Sequence, residues 1–392
     1  MVDVLIIGAG MYVCGRGTDT YGTILPAVME AKKQGYVGKI SVVSTCKKSV
    51  GFLSQKLKEI NRLMGTNINI DTYPKEGKDR FSYRNALDNL SDGSCVILSV
   101  PDHLHYQIAK ELIEAKKNNL VVKPLTSKVD ENIELIKLAN KNNVYGAVEF
   151  HKRYDLANLK VKKIINDGNI GDLLYTIVEY SQRKIMPEEM FKNWIKETNI
   201  FQYLAVHYVD IIYFITRAKP LRVSAVGQMN SLANKGINTY DSIQAILEWE
   251  NTEGKLFTST FLVNWIDPSQ TSAMSYQSIK FIGTEGRYES DQKNRGNQVI
   301  TEDGIEDINP YFTQIYPTAE GFEEFRGYGI DSILTFIKDC NDLNNKEVSV
   351  NELQSKRPSF SEALISTAVV EATNRSLMDN GRWKKIELPV VK

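Results

Sequence analysis

The sequence predicts an α/β fold in two parts. Residues 1–150 read as a doubly wound parallel sheet, and residues 151–392 as an α+β domain on a large, mostly antiparallel open sheet. Three observations carry this. Val2–Ile7 (VDVLII) is almost continuously apolar and β-branched, as a strand buried on both faces must be. From there to Phe150, strand-like and helix-like runs alternate, which implies parallel strands joined by right-handed crossovers. Beyond Gly171 the strand-like runs follow one another with few helices between them, so neighbours pair antiparallel.

The first strand breaks at Gly8-Ala9-Gly10, and an amphipathic helix follows with Ile24, Leu25, Val28 and Met29 on one side. Side-chain-free positions there permit a tight turn and a close approach of backbone N–H groups to an anion. Strand, glycine turn and helix in this order open a Rossmann dinucleotide site, with Gly8, Gly10, Met11 and Tyr12 as its cofactor-binding residues. Val13 stands where the usual third glycine falls. Gly15, Gly17 and Gly22 come later, so the turn is lengthened. An ordinary strand–helix loop would use the same glycines, but the position directly after a buried strand favours the nucleotide. Arg16, Thr18 and Thr20 in the enlarged loop are either contacts to a pyrophosphate or substrate, or solvated polarity.

Lys39–Ser44 reads as the second strand, whose end meets the adenosine ribose in a doubly wound fold. An acid there selects NAD. Here Ser44-Thr45-Cys46-Lys47-Lys48 offers hydroxyls and ammonium groups, so Ser44 and Lys47 are assigned to the cofactor and the reading leans to NADP over NAD. The alternative is that Lys47 and Lys48 are the solvated start of the next helix, Ser49–Met64. A strand at Asn67–Asp71 and a helix at Phe81–Asn89 follow. The buried strand Ser94–Ser99 then runs into Val100-Pro101-Asp102-His103-Leu104-His105. Strand-end loops of this kind face the cofactor, which brings in Ser99 and Pro101. After a helix at Tyr106–Lys117, the strand Leu120–Val122 ends at Lys123-Pro124. Lys123 sits at a parallel strand end, where sites in this architecture collect, and is the candidate catalytic amine; the alternative is one surface lysine among many. A helix at Ser127–Asn140 and a strand at Val144–Phe150 complete the first part.

His151-Lys152-Arg153-Tyr154-Asp155 opens a helix to about Asp167, with Asp155 as its cap. Strands are expected at Asp172–Gln182, Arg222–Met229, Ser242–Trp249, Lys255–Val263, Ser275–Ile282 and Gly286–Ser290, with hairpin turns at Glu250–Gly254 and Gly283–Gly286. Helices at Gly327–Asp342 and Ser359–Asn380 close the chain. One helix interrupts the sheet, Gln202–Thr216 (QYLAVHYVDIIYFIT). Tyr203, His207, Asp210 and Phe214 recur on it at helical spacing. A histidine takes a hydroxyl proton near neutral pH and a nearby carboxylate raises its basicity, so His207 is the candidate base, with Asp210 and Tyr203 beside it. A buried histidine hydrogen-bonded among helices is the competing reading.

The pieces IIGAG, SVPDHLHYQIAKELIEAKKNNLVVKPLTS and EFHKRYD resemble the glucose–fructose oxidoreductase / inositol dehydrogenase family of nicotinamide-dependent oxidoreductases, over nearly the whole chain. The usual signature there is Glu-Lys-Pro; here Val122 replaces the acid while Lys123 and Pro124 remain. The resemblance implies that Lys123 lies beside the nicotinamide and binds the reacting hydroxyl, and that His105 lies near the nicotinamide half. It implies that His151, Arg153 and Tyr154 meet the cofactor or a polyol. On the interrupting helix the family has Asp, then His, then Asp; His207 and Asp210 match, and Tyr203 stands at the first acid. The implied substrate, touched by Lys123, His151, Arg153, Tyr154, Tyr203 and His207, is a sugar, nucleotide sugar, cyclitol or related polyol. The open sheet implies a homodimer or homotetramer.

Composition bounds the rest. The chain has 392 residues, enough for two cores, and 48 basic residues balance 48 acidic ones, which argues against nucleic-acid and polybasic membrane partners. Four scattered cysteines without ligand spacing, no leader and no membrane-length apolar run lead to a cytoplasmic expectation. Two other functions compete. One is a cofactor-binding regulator with weakened chemistry, kept open by Val122 and Tyr203. The other is a metal hydrolase from His103 and His105, disfavoured because the chain has only four histidines and no acid cluster, so no metal is expected.

Overall fold

The structure is a computed structural model that describes residues 1–296, 298–301, 304–307 and 309–389. Its first sheet contains β1 (Val2–Ile7), β2 (Val37–Val43), β3 (Asp71–Tyr73), β4 (Cys95–Leu98), β5 (Asn118–Val122) and β6 (Gly146–Glu149). The strand order is β3-β2-β1-β4-β5-β6 and every pair is parallel. Alternate residues of β1 enter two cores: Val4 and Ile6 face one, Leu5 and Ile7 the other. A strand covered on both faces gains from apolar side chains at every position, which is why VDVLII does not alternate. Pairing of β3 begins only at Asp71. The Asn61 side chain holds both the N–H and the carbonyl of Ile68, at 2.9 Å each, so the expected strand at Asn67–Asp71 starts late.

The helices of this half are α1 (Met11–Cys14), α2 (Ile24–Lys33), α3 (Lys47–Met64), α4 (Ser82–Asp88), α5 (His105–Glu114) and α6 (Val129–Asn142). The lengthened glycine turn is therefore a separate helical turn, α1, ended by Gly15 in the left-handed conformation, and a loop to α2. Val13, at the position of the missing third glycine, is wholly buried in the core.

After β6, a 3₁₀ turn at His151–Tyr154 leads to α7 (Leu156–Asn166), capped by the Asp155 carboxylate on Ala157 N–H. β7 (Leu173–Arg183) is followed by a π-helical turn at Phe201–Ala205 that runs into α8 (Val206–Thr216). Next come β8 (Lys219–Gln228), β9 (Ser242–Glu250), β10 (Leu256–Asp267), β11 (Ser275–Gly283) and β12 (Arg287–Asp291). Two small hairpins succeed them: β13 (Gln298–Thr301) with β14 (Gly304–Asp307), and β15 (Gln314–Pro317) with β16 (Glu323–Arg326). Then α9 (Tyr328–Asn344), α10 (Val350–Lys356), α11 (Phe360–Met378) and β17 (Lys384–Lys385) end the described chain. The second sheet has the order β12-β11-β7-β10-β9-β8-β17 and is antiparallel except for the pair β7–β10.

Its inner face packs on α8 and α11, while the outer face exposes Tyr175, Val226, Ile246 and Leu262. α9 crosses back onto the first sheet: its Ile333, Phe336 and Ile337 share a core with β1 and α2. The β15–β16 hairpin follows the same path, with Phe325 N–H donating to Glu30 at 2.8 Å. Among the described residues no helix is long and apolar enough to cross a membrane.

Candidate functional site

The site forms where the carboxyl ends of the first sheet's strands meet α8 and the turn after β6. Gly8 has φ +124°, and a side chain there would collide with the Ser99 carbonyl at the end of β4. Gly10 faces open space and caps α1 without a side chain, and Met11 opens that helix half-buried. A backbone cradle of this form suits the pyrophosphate of a dinucleotide. At the end of β2, Ser44 is buried and Lys47 and Lys48 are exposed on the first turn of α3. Arg16 reaches this edge from the enlarged loop, donating to Ser49 Oγ at 2.7 Å. Residues 44–49 include no carboxylate, while Asp79 lies against them with its N–H donating to the Thr45 carbonyl at 3.1 Å.

Lys123 ends β5, and its peptide with Pro124 is cis. Its amine is buried, donates to the Tyr203 carbonyl, and lies 4.1 Å from the centre of the Tyr203 ring. Burial pushes it down to about 8, against the opposing pull of the Asp102 and Glu149 charges. Tyr203 meets Lys123 and belongs to the π turn that runs into α8. Its ring also packs on Phe191, at 4.7 Å, and on Trp194 and Trp265. Burial, and then the charge of Asp102, push the Tyr203 phenol up.

His207 is on α8, buried, with Nδ1 lacking any hydrogen-bond partner. Burial first, and then the charges of Lys123, His151 and Lys152, hold its ring well below the usual histidine range. The Lys123 amine reaches the carbonyl of Tyr203, on the π turn that leads into α8 four residues before His207. The ring stands 4.8 Å from that of His151 and 6.4 Å from that of Tyr180, centre to centre. His151 Nδ1 lies 2.9 Å from one oxygen of Glu149 and 3.3 Å from the hydroxyl of Tyr12. The rings of Phe312 and Tyr328 stand 5.2 and 5.7 Å from that of His151, centre to centre. Next to it, Lys152 donates to Gln277 and Gln292, and burial pushes its amine down to about 7.

Several expectations need correction. Asp210 does not support His207: both its oxygens accept from Arg153, at 2.9 and 2.5 Å, and Arg153 also holds Glu362 at 3.0 Å. Arg153 is therefore committed to a buried ion-pair cluster with Asp210 and Glu362. Burial pushes the Tyr154 phenol up, and the charges around it are those of Arg357, Asp339, Arg153 and Glu149. His105 is buried with Nδ1 2.7 Å from the Pro124 carbonyl and Nε2 2.9 Å from the Val100 carbonyl. It braces the two strand-end loops against each other, and both its nitrogens are taken by backbone oxygens. His103 is exposed, whereas His105 is buried. Among the described residues no group of three or more His, Cys, Asp or Glu side chains is disposed to hold a metal.

Two acids in the site carried no role in the sequence reading. Asp102 accepts from Thr198 and Gln202, each at 3.0 Å, and ties the β4 loop to the segment before α8. Glu149 is wholly buried at the end of β6. Its signal was a charge inside an otherwise apolar strand.

Over residues 2–150 the chain matches the oxidoreductase family with an NAD-binding Rossmann fold, and over residues 158–289 the GFO/IDH/MocA C-terminal domain. Inositol 2-dehydrogenase of Rhizobium meliloti is 21% identical over 75% of this chain and 81% of its own length. The NADP(+) scyllo-inositol 2-dehydrogenase IolW of Bacillus subtilis is 30% identical over 29% of this chain and 32% of its own. The solved structure of scyllo-inositol dehydrogenase from Lactobacillus casei with NAD(H) and scyllo-inositol has a TM-score of 0.67 at 14% identity, covering 98% of this chain and 99% of that one. Two adjoining domain matches, on a fold shared end to end with an inositol dehydrogenase, make this chain a member of the GFO/IDH/MocA family of NAD-binding oxidoreductases.

Proposed function

We propose that the protein moves hydride between a nicotinamide dinucleotide and a hydroxyl-bearing carbon of a polyol, with a cyclitol as the first candidate and a sugar or nucleotide sugar as further ones. The observation that carries this reading is the hydrogen bond from the Lys123 amine to the Tyr203 carbonyl, which brings the amine to the turn leading into α8, where the His207 ring stands 4.8 Å from that of His151. The bound cofactor supplies the hydride acceptor or donor, and the protein supplies orientation, charge and proton handling. Protonated Lys123 stabilises the substrate oxygen as its proton leaves. The imidazole pair of His207 and His151 takes that proton and returns it in the reverse direction. Gly8 and Gly10, with Met11, Tyr12, Ser99 and Pro101 around them, would hold the cofactor. The cyclitol preference is supported by the inositol dehydrogenases among the relatives.

NADP is preferred over NAD because Lys47 and Lys48 open α3 after β2, Arg16 reaches Ser49 beside them, and residues 44–49 carry no acid. A charge-assisted contact to a 2′-phosphate is worth ~1.5–3 kcal/mol, so Arg16→Ala is expected to weaken NADPH binding about 10-fold or more while leaving NADH nearly unaffected. The regulatory reading draws on one observation: Lys123 already donates to a backbone carbonyl and is covered by the Tyr203 ring. The deciding experiment follows nicotinamide absorbance with a panel of inositols, sugars and nucleotide sugars. Turnover with a polyol supports the dehydrogenase. Tight cofactor binding with no turnover on any of them supports the regulator.

A further inference from the structure

Two acids expected beside the reacting groups stand elsewhere or are absent. Val122 replaces the acid before Lys123, and Asp210 is bound to Arg153. Glu149 answers both losses. The parallel register of β5 and β6 pairs Val122 directly with Glu149. Paired residues on adjacent strands project from the same face of a sheet, so a carboxylate at 149 enters the space that a side chain at 122 borders. Glu149 is wholly buried, and both its oxygens face His151 Nδ1, at 2.9 and 3.1 Å. A buried carboxylate in this position fixes the ring with its proton on Nδ1 and stabilises the imidazolium that forms when Nε2 gains a second proton. Among the described residues His151 Nε2 has no hydrogen-bond partner, so it is the free acceptor. His207 has the opposite setting: among the described residues its buried Nδ1 has no hydrogen-bond partner.

We propose that His151 is the residue that exchanges the hydroxyl proton, that Glu149 is its positioning residue, and that His207 stays neutral and orients the substrate hydroxyl. This rests on the dehydrogenase reading above. In oxidation the substrate O–H bond breaks and its proton bonds to His151 Nε2. The C–H electron pair leaves as hydride to the nicotinamide, which is reduced, and the carbon–oxygen bond becomes double. Reduction of the carbonyl runs the same steps backwards. The groups facing His151 are Tyr12 from α1, Glu149 from β6, His207 from α8 and Tyr328 from α9. The charges of Lys123 and Lys152 lie nearby, with Tyr180 from β7 behind His207.

The test compares His151→Gln, Glu149→Gln and His207→Gln in the full chain, with NADPH binding measured by fluorescence to establish that each variant is folded. His151→Gln is expected to lower kcat by ~10²–10⁴-fold, with partial rescue by added imidazole. Glu149→Gln is expected to lower kcat by a smaller factor and to displace the acid limb of the kcat/KM profile, while His207→Gln mainly raises KM. A His151→Gln enzyme within ~3-fold of wild-type kcat, beside an inactive His207→Gln enzyme, overturns the assignment. Nitrogen-15 NMR of the NADP-loaded chain decides the matter independently of turnover. The expected result is an imidazole proton on Nδ1 of neutral His151. A neutral His151 carrying its proton on Nε2 instead overturns it. Absence of turnover on every polyol together with the expected spectrum would fault the dehydrogenase reading and leave the Glu149–His151 pair standing.

Discussion

A lysine amine that burial has pushed from 10.5 to about 8 carries its own test. Each pH unit of that displacement is worth ~1.4 kcal/mol, so holding Lys123 protonated at pH 7 costs the fold about 3 kcal/mol. Below pH 8 the amine is charged in both folded and unfolded chains and the cost is complete. Between pH 8 and 10.5 the folded form loses its proton first, and the cost fades as pH rises. Lys123→Met is therefore expected to raise Tm at pH 7, by an amount that shrinks towards pH 10.5, and to lower kcat by ~10²–10³-fold. Thermal melts across pH and steady-state kinetics check the two halves. Lys123 was legible because a charge at a parallel strand end before proline has few structural reasons to be there. Glu149 was not, because a lone acid in an apolar strand acquires meaning only from the register that sets it beside Val122.

At the scale of elements, α8 shows what spacing can and cannot tell. His207 and Asp210 were visible as a pair on one helix, but spacing names a face and not the neighbour across from it. The neighbour of Asp210 is Arg153, delivered by the 3₁₀ turn after β6, and the two form a buried ion pair. Removing one partner of such a pair leaves an uncompensated charge and typically costs 3–5 kcal/mol. Asp210→Asn is expected to lower the denaturation midpoint strongly, because Arg153 then keeps only Glu362 as an acidic partner, while kcat per folded molecule stays within ~3-fold of wild type. An equally large loss of kcat at unchanged stability would return Asp210 to the reaction. The π turn at Phe201–Ala205 was illegible for a related reason: its apolar residues satisfy a helical pattern, yet the wider turn swings Tyr203 onto Lys123. The split of the first helix was half visible, since Gly15, Gly17 and Gly22 announce a break but not the short helical turn before it.

Across the whole molecule, the two sheets were the most legible feature, because continuous apolar runs and alternating ones report directly how many faces a strand buries. The return of α9 onto the first sheet was not visible, since no local pattern states which core an amphipathic helix joins. The second sheet leaves Tyr175, Val226, Ile246 and Leu262 exposed on one face, which suits self-association of copies. A double substitution, Ile246→Lys with Leu262→Lys, is expected to shift sedimentation to a smaller species without unfolding the chain. An unchanged sedimentation coefficient would assign the contact to another surface.

The proposed reaction requires Lys123, which follows β5, and the His207–His151 imidazole pair to converge on one substrate hydroxyl. A crystal structure of the protein with NADP and a polyol that it turns over tests this. The expected structure has a single hydroxyl within hydrogen-bond distance of both the Lys123 amine and an imidazole nitrogen of the pair, its carbon facing the nicotinamide. A polyol whose reacting carbon is held by neither, or a wall of side chains separating the amine from the two rings, would contradict it.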